Sequence, residues 1–164
     1  MGEVNCYRPH VLVLPEDDAN RQIANGFLLE PRLKTRCIQI LPIAGGWPKI
    51  RDNFQSQHIA LLERYPDRYL VLIVDFDTYI DKRAAKVLGI FPEGLRSRVF
   101  IIGTRDNPEV FSRLCGMSLE SIGAKLASEC GDGNCSGLWA HPDLEHNAIE
   151  LQRLVTAVRP MLFN

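Results

Sequence analysis

"RYLVLIVDFD" (68–77) is the strongest strand signal in the chain. The stretch is apolar almost throughout until it reaches two aspartates. A strand that is apolar on both faces is typical of a parallel sheet covered by helices on both sides. Because Asp75 and Asp77 are two residues apart, they lie on the same side of an extended segment. The stretch therefore predicts a central parallel strand that ends in a pair of carboxylates.

Three more apolar runs predict strands, and helical patterns separate them. The strands are expected at "HVLVLP" (10–15), "TRCIQILPI" (35–43) and "RVFIIGT" (98–104). Apolar spacing predicts helices over 18–30, 48–66, 81–91, 107–116, 118–131 and 141–163. Ser118 is expected to cap the fifth helix and Gly131 to end it. Alternating strands and helices predict a single α/β domain with a mostly parallel, Rossmann-like sheet of four strands flanked by helices.

Length and composition are those of an ordinary globular protein. The chain has 164 residues, is 46% hydrophobic and carries a net charge of -1. No global basic field attracts nucleic acid, so binding to nucleic acid would have to use a local patch. No apolar run approaches the roughly 20 residues of a membrane span, and no secretory leader is recognisable, so we expect a cytoplasmic protein that does not enter membranes. The odd number of cysteines, 5, favours reduced thiols.

Carboxylates follow two of the predicted strands. "PEDD" places Glu16, Asp17 and Asp18 after the first strand, and "DFD" places Asp75 and Asp77 after the third. If these strands are neighbours, the five carboxylates converge at the carboxyl edge of the sheet, where open α/β folds bind ligands. Carboxylate oxygens are the ligands that Mg²⁺ or Mn²⁺ prefers. The alternative is structural, since Asp17 or Asp18 could cap the following helix.

This pattern resembles the TOPRIM domains of topoisomerases, primases, small maturation ribonucleases and OLD-type nucleases. Those domains carry a Glu after the first strand, matched by Glu16, and an Asp-x-Asp after the third, matched by Asp75 and Asp77. The resemblance covers residues 10–104 and leaves 105–164 as a helical extension. It implies that Glu16 acts as a general base, a general acid or a metal ligand, and that the two aspartates hold Mg²⁺. Asp17 stands where the family usually has Gly. The implied function is that of a Mg²⁺-dependent nuclease or phosphoryl-transfer protein acting on nucleic-acid phosphodiesters.

The chain is also similar, less closely, to response-regulator receiver domains. In "VLVLPEDDANRQIANGFL", Asp17 and Asp18 match the Mg²⁺-binding acidic pair of that family. The likeness implies phosphorylation at Asp75, with Thr104 as the switch hydroxyl. No Lys follows an obvious fifth strand, and "DFDTY" lacks the family's Met-Pro. A third hypothesis is a non-catalytic scaffold or binding protein with a TOPRIM-like fold, acting within a larger assembly or as a homo-oligomer.

Basic residues follow the acidic strand end in "DKRAAK". Arg83 is the candidate catalytic cation because it lies nearest the Asp-x-Asp, and a guanidinium suits a phosphate. Arg105, after the fourth strand, is a second candidate. The alternative for each is a solvated surface charge.

Four potential zinc ligands lie in one segment near the carboxyl terminus. They are Cys130, Cys135, His141 and His146. Their spacing, C-x4-C-x5-H-x4-H, fits no standard finger. The structural alternative is that Cys130 ends one helix and the two histidines flank the next.

Overall fold

Four parallel strands form one sheet in the order β2-β1-β3-β4. The computed structural model describes residues 4–46, 49, 52, 57–133 and 136–163. The strands are β1 (His10–Pro15), β2 (Ile38–Ile40), β3 (Arg68–Asp75) and β4 (Val99–Thr104). The helices in this part of the chain are α1 (Asp18–Phe27), α2 (Ile59–Arg64), α3 (Ile80–Leu88), α4 (Pro108–Cys115), α5 (Leu119–Asp132) and α6 (Ala148–Leu162). The α/β fold with a four-stranded parallel sheet is confirmed.

The strand register brings the predicted acidic strand ends together. β1 and β3 are direct neighbours, with Pro15 opposite Ile73. β3 and β4 pair so that Asp75 lies opposite Thr104. Because all four strands run in the same direction, their carboxyl ends share one edge of the sheet. We call it the carboxyl edge.

Helices bury both faces of the sheet, as the continuous apolar runs predict. Along β1, Val11 and Val13 face one core and Leu12 and Leu14 face the other. The first core is covered by α1, α4, α5 and α6, and the second by α2 and α3. Alternate residues of one strand thus contribute to two cores, which explains why β1 and β3 are apolar apart from the polar residues at their ends.

The last helix covers a sheet face and fixes the end of the chain. α6 packs on β4, and Phe163 forms an isolated antiparallel bridge with Leu33. The Lys34 amide donates to the carbonyl of Leu162 at 2.7 Å. The helical extension predicted for 105–164 therefore belongs to the same core as α1.

Several element boundaries differ from the sequence prediction, and three of these differences have a clear local cause. β2 has only three residues, because Thr35–Cys37 forms a 3-10 turn. α5 ends at Asp132 and is capped by Gly133 instead of Gly131, because Gly133 takes the left-handed conformation typical of a helix stop, with φ +70°. α6 begins at Ala148 instead of residue 141, since Leu138–Ala140 and Glu145–Asn147 form separate 3-10 turns.

Within the described part of the chain, no helix is both long and apolar enough to cross a membrane.

Candidate functional site

One buried amide joins the two acidic strand ends. Asp17 is the N-cap of α1, and its Oδ1 accepts from the backbone amide of Asn20 at 2.9 Å and from Nδ2 of Asn20 at 3.0 Å. The same Nδ2 donates to Oδ1 of Asp75 at 3.0 Å. Asn20 is fully buried. Asp17 is thus both the helix cap and a member of the acidic cluster, two interpretations that the sequence presented as alternatives.

Glu16 faces the end of β3. Its backbone amide donates to the carbonyl of Ile73 at 2.9 Å, which extends the sheet ladder by one residue. Its carboxylate Oε2 accepts from the amide of Asp75 at 3.0 Å. Burial raises the pKa of Glu16, while the bond from Asp75 and the charge of Arg83 oppose that rise. The carboxyl group is therefore held at the carboxyl edge in an environment that favours its protonated form.

Asp75 is the most perturbed carboxyl group of the site. Burial raises its pKa to about 7, and the nearby Asp17, Glu16 and Asp77 act in the same direction. The hydrogen bond from Asn20 works against them. Since neighbouring carboxylates disfavour each other's ionisation, a cation is the partner that would allow them all to be charged. We refer to Glu16, Asp17 and Asp75 as the acidic cluster.

Asp77 turns away from the acidic cluster toward Arg83. The guanidinium of Arg83 donates to the backbone carbonyl of Asp75 and to the Asp77 carboxylate. The side chain of Asp77 is 57% exposed. Both Asp77 (φ +44°) and Thr78 (φ +65°) have left-handed backbone conformations, and the Thr78 amide donates to the carbonyl of Arg105 at 2.8 Å. Left-handed conformations are costly for a β-branched residue, and such strain is common at functional sites.

Within the residues that the structure describes, no three His, Cys, Asp or Glu side chains are grouped so that they could hold a metal ion. The acidic cluster and Asp77 therefore do not form a preassembled protein-only metal site. Asp18, the remaining acid of "PEDD", is exposed and bonded to Arg21 and Gln22. These two hydrogen bonds lower the pKa of Asp18.

The candidate switch hydroxyl and the second candidate cation lie across the same edge. Thr104 is buried, and its hydroxyl donates to the carbonyl of Asp106 at 3.0 Å. The guanidinium of Arg105 pairs with Glu145 at 3.2 Å. Arg105 is therefore engaged with the segment before α6 instead of the acidic cluster.

The residues considered as zinc ligands have different surroundings. Cys135 lies outside the described residues. Cys130 is buried on α5, and His141 packs against the ring of Phe111 with centroids 4.9 Å apart. His146 meets the ring of Phe76 edge-on at 5.1 Å. Burial, together with the charge of Arg105, lowers the pKa of His146. His146 thus packs against the middle residue of "DFD", a position that the sequence alone did not predict.

Two residues of the site were not found by sequence reasoning. Asn20 carries no charge, and its only signal was its position three residues after the cap Asp17, where a capping hydrogen bond is made.

Lys49 follows the glycine turn after β2. The Gly45 amide donates to the carbonyl of Glu16 at 3.0 Å, and Lys49 Nζ lies 3.6 Å from the point where a Cβ on Gly45 would stand. The ammonium group of Lys49 therefore lies next to the glycine turn that is hydrogen-bonded to Glu16.

Comparison of the chain with protein-family models, curated proteins and solved structures gave no match.

Proposed function

We propose that the carboxyl edge binds Mg²⁺ or Mn²⁺ together with a phosphate group and supports phosphoryl transfer on nucleic-acid phosphodiesters. The observation that carries the proposal is the position of Asp75. Its carboxyl ends a central strand, shares one amide nitrogen with Asp17, and has a pKa raised to about 7. A structural acid has no need of such a position, whereas a perturbed acid at a sheet edge is typical of functional sites.

The chemistry of the donor set fits Mg²⁺. The ion usually takes only one or two protein carboxylates and completes its octahedron with waters and substrate phosphates. Glu16 and Asp75 would hold it, with Asp17 and Asp77 as further candidate ligands. Because no three acids are grouped for a metal among the described residues, the substrate phosphate is expected to complete the site. When bound, the ion would neutralise charge on the phosphate oxygens.

The other side chains around the ion site would have separate roles in proton transfer and in attracting the substrate. Glu16 is suited to carry a proton, since burial raises its pKa above the ordinary value of a glutamate. Arg83 holds the Asp75 carbonyl and the Asp77 carboxylate, so it shapes the turn and adds positive charge beside it. Lys49 supplies positive charge beside the glycine turn that is bonded to the carbonyl of Glu16. Together with Arg83, this charge would help to attract a phosphodiester to the carboxyl edge.

Calorimetric titration tests the ion site. Mn²⁺ is titrated into the protein with and without a nucleoside monophosphate, and the titration is repeated with Asp75→Asn. We expect saturable binding that is tighter with the nucleotide and lost in the variant. Asp18→Asn is the matched control, because it removes one exposed carboxylate next to the acidic cluster. Equal binding by wild type and Asp75→Asn would contradict the proposal.

Cleavage assays then test the chemistry. Labelled single- and double-stranded DNA and RNA are incubated with the protein and Mg²⁺. We expect Glu16→Gln to lose cleavage while it keeps part of the ion binding, because the lost group is the proton carrier. Ion binding without cleavage of any of these substrates would favour the scaffold hypothesis over the enzyme.

A receiver-like role is the second candidate, and the sheet gives it specific support. The order β2-β1-β3-β4 matches the first four strands of the doubly wound order 2-1-3-4-5, and Asp75 lies opposite Thr104. In that role an Asp75 carboxylate oxygen attacks the phosphorus of acetyl phosphate, an acyl phosphate forms and acetate leaves. Intact-mass measurement with Mg²⁺ should then show one added phosphate, absent from Asp75→Asn. An unmodified wild-type mass would contradict this role.

A further inference from the structure

The core between the sheet and the helical layer contains an apolar cavity of about 100 Å³. Its wall is built by β1, β3 and β4 on one side and by α1, α5 and α6 on the other. The wall is almost entirely apolar, with Val71 on the sheet side and Ala24 and Ile122 on the helical side. Apolar cavities of this kind stay free of water and bind small apolar molecules, because water finds no hydrogen-bond partners in them.

Two polar residues, Asn20 and Thr104, interrupt the apolar wall, and the hydroxyl of Thr104 is already bonded to the carbonyl of Asp106. Asn20 lines the cavity and is 0% exposed. Its Oδ1 is buried and has no hydrogen-bond partner among the described residues. In the part of the chain that the structure describes, the other buried side-chain atoms without a partner belong to Arg105 and His146, which do not line the cavity. The cavity therefore combines an apolar surface with a single unsatisfied acceptor.

The direction of the Asn20 amide is fixed by its nitrogen. Nδ2 donates to Asp17 and to Asp75, each at 3.0 Å. Rotating the amide by half a turn would place its oxygen against two carboxylate oxygens, which is unfavourable. The oxygen consequently faces away from the acidic cluster, on the side where Asn20 lines the cavity. A buried acceptor left without a donor costs about 1–3 kcal/mol, so a donor at this point is strongly favoured.

We propose that this cavity binds one small neutral molecule that has an apolar ring or short chain and a single N–H or O–H donor directed to Asn20 Oδ1. A cavity of about 150 Å³ holds benzene, which has six non-hydrogen atoms, so a cavity of about 100 Å³ suits a ligand of about four or five. The proposal does not depend on the function suggested for the carboxyl edge. The two sites are nevertheless linked, because one amide contacts the ligand through its oxygen and Asp17 and Asp75 through its nitrogen.

Pyrrole and furan form a matched pair of probes for this cavity. The two rings are nearly equal in size, but pyrrole carries an N–H donor and furan only an oxygen acceptor. Each is titrated into the full chain with ¹³C-labelled methyl groups, and shifts of the Ile122 and Val71 methyls are followed. We expect saturable shifts at these methyls, with pyrrole binding roughly two- to tenfold tighter than furan, which is the value of one hydrogen bond.

Two cavity-filling variants control for nonspecific binding. Ala24→Val adds volume from the helical side, and Val71→Ile adds volume from the sheet side. Each should weaken pyrrole binding at least fivefold, whereas Ala85→Val on the exposed face of α3 should leave it unchanged. Circular dichroism verifies that each variant is folded, and the second filling variant serves if the first does not fold.

Three results would overturn the proposal. The first is an absence of saturable methyl shifts with pyrrole in the wild type. The second is equal affinity for pyrrole and furan, which would remove Asn20 Oδ1 as the anchor. The third is unchanged pyrrole affinity in a folded cavity-filling variant, which would place the ligand elsewhere.

Discussion

Nδ2 of Asn20 lies 3.0 Å from Oδ1 of Asp75, and this hydrogen bond ties the first turn of α1 to the end of β3. The same nitrogen is bonded to Asp17, so a single neutral side chain holds two acids near each other. A neutral amide orients carboxylates without cancelling their charge. The arrangement therefore holds the acids close together, and a bound cation would relieve the repulsion between them.

Replacing Asp75 with Asn should stabilise the protein at neutral pH in the absence of divalent cations. Burial raises the Asp75 pKa from 3.8 to about 7, so between these values the folded state binds a proton that the unfolded state has released. Wild-type stability contributed by this group therefore falls as pH rises from 3.8 to about 7. One pKa unit corresponds to ~1.4 kcal/mol, and partial contact with solvent reduces that value. We therefore expect Asp75→Asn to raise the free energy of unfolding by about 1–3 kcal/mol at high pH.

Urea denaturation at about pH 4 and about pH 8 measures this effect, and the difference between wild type and Asp75→Asn should be near zero at the lower value. Asp18→Asn serves as the control, because its carboxylate is exposed and should change stability by less than about 0.5 kcal/mol. A variant less stable than wild type at the higher pH would show that Asp75 is a stabilising structural acid.

Replacing Thr78 with Gly should also stabilise the protein. Thr78 has φ +65°, where a β-branched side chain is strained and glycine is not. Relief of that strain, less the extra chain entropy of glycine, should raise the free energy of unfolding by about 1 kcal/mol. Thr156→Gly, in the exposed interior of α6, should have the opposite sign and a similar size. Thermal denaturation that shows both variants destabilised would contradict the strained turn.

Replacing Gly123 with Ala should destabilise the protein although alanine is the better helix former. A Cβ on Gly123 would stand 2.0 Å from the carbonyl oxygen of Ile23, so α1 and α5 pack with their backbones nearly in contact. Separating the helices should cost roughly 3 kcal/mol, more than the ~1 kcal/mol that alanine adds to a helix. Gly94→Ala is the control, because nothing lies within 4 Å of its added Cβ. Urea midpoints that rise for Gly123→Ala would disprove the close crossing.

Two buried histidines, His10 and His58, should make a contribution that lowers the protein's stability as pH falls below 6.5. His10 is buried and accepts from Nε of Arg68 at 2.9 Å, so it must be neutral. Burial, with the charge of Arg68, lowers the pKa of His10 and of His58 below 6.5. The unfolded state therefore binds more protons than the folded state below 6.5, and stability decreases with falling pH.

His10→Gln tests this prediction, because glutamine keeps an acceptor for Arg68 but does not titrate. The free energy of unfolding is measured from about pH 8 to about pH 5, and the decrease should be shallower in the variant. Since Asp75 is common to both proteins, its opposite contribution cancels in the comparison. Parallel curves throughout this range would exclude His10 as a source of the acid sensitivity.

Much of the sheet and part of the acidic edge could be predicted from the sequence. The span of β1 was predicted without error, since a continuous run of buried, mostly apolar residues between polar segments leaves little choice. Glu16, Asp17 and Asp75 could be predicted to converge, because parallel strands place their carboxyl ends on one edge. The start of α6 could not be predicted, because bonds between distant parts of the chain hold residues 138–147. One example is the Gly103 amide, which donates to Oδ1 of Asn147 at 3.0 Å.

The sequence by itself determined the parallel α/β sheet, its two buried faces and the acids at two strand ends, because these follow from local periodicity and residue type. Only the tertiary structure decided that Asn20 bridges Asp17 and Asp75, and that Asp77 turns to Arg83. It also decided that Asn20, whose oxygen has no partner among the described residues, lines an apolar cavity. These features depend on packing between residues far apart in the chain. Asp75 is buried only when the helices pack over the sheet, and its raised pKa therefore depends on the folded structure.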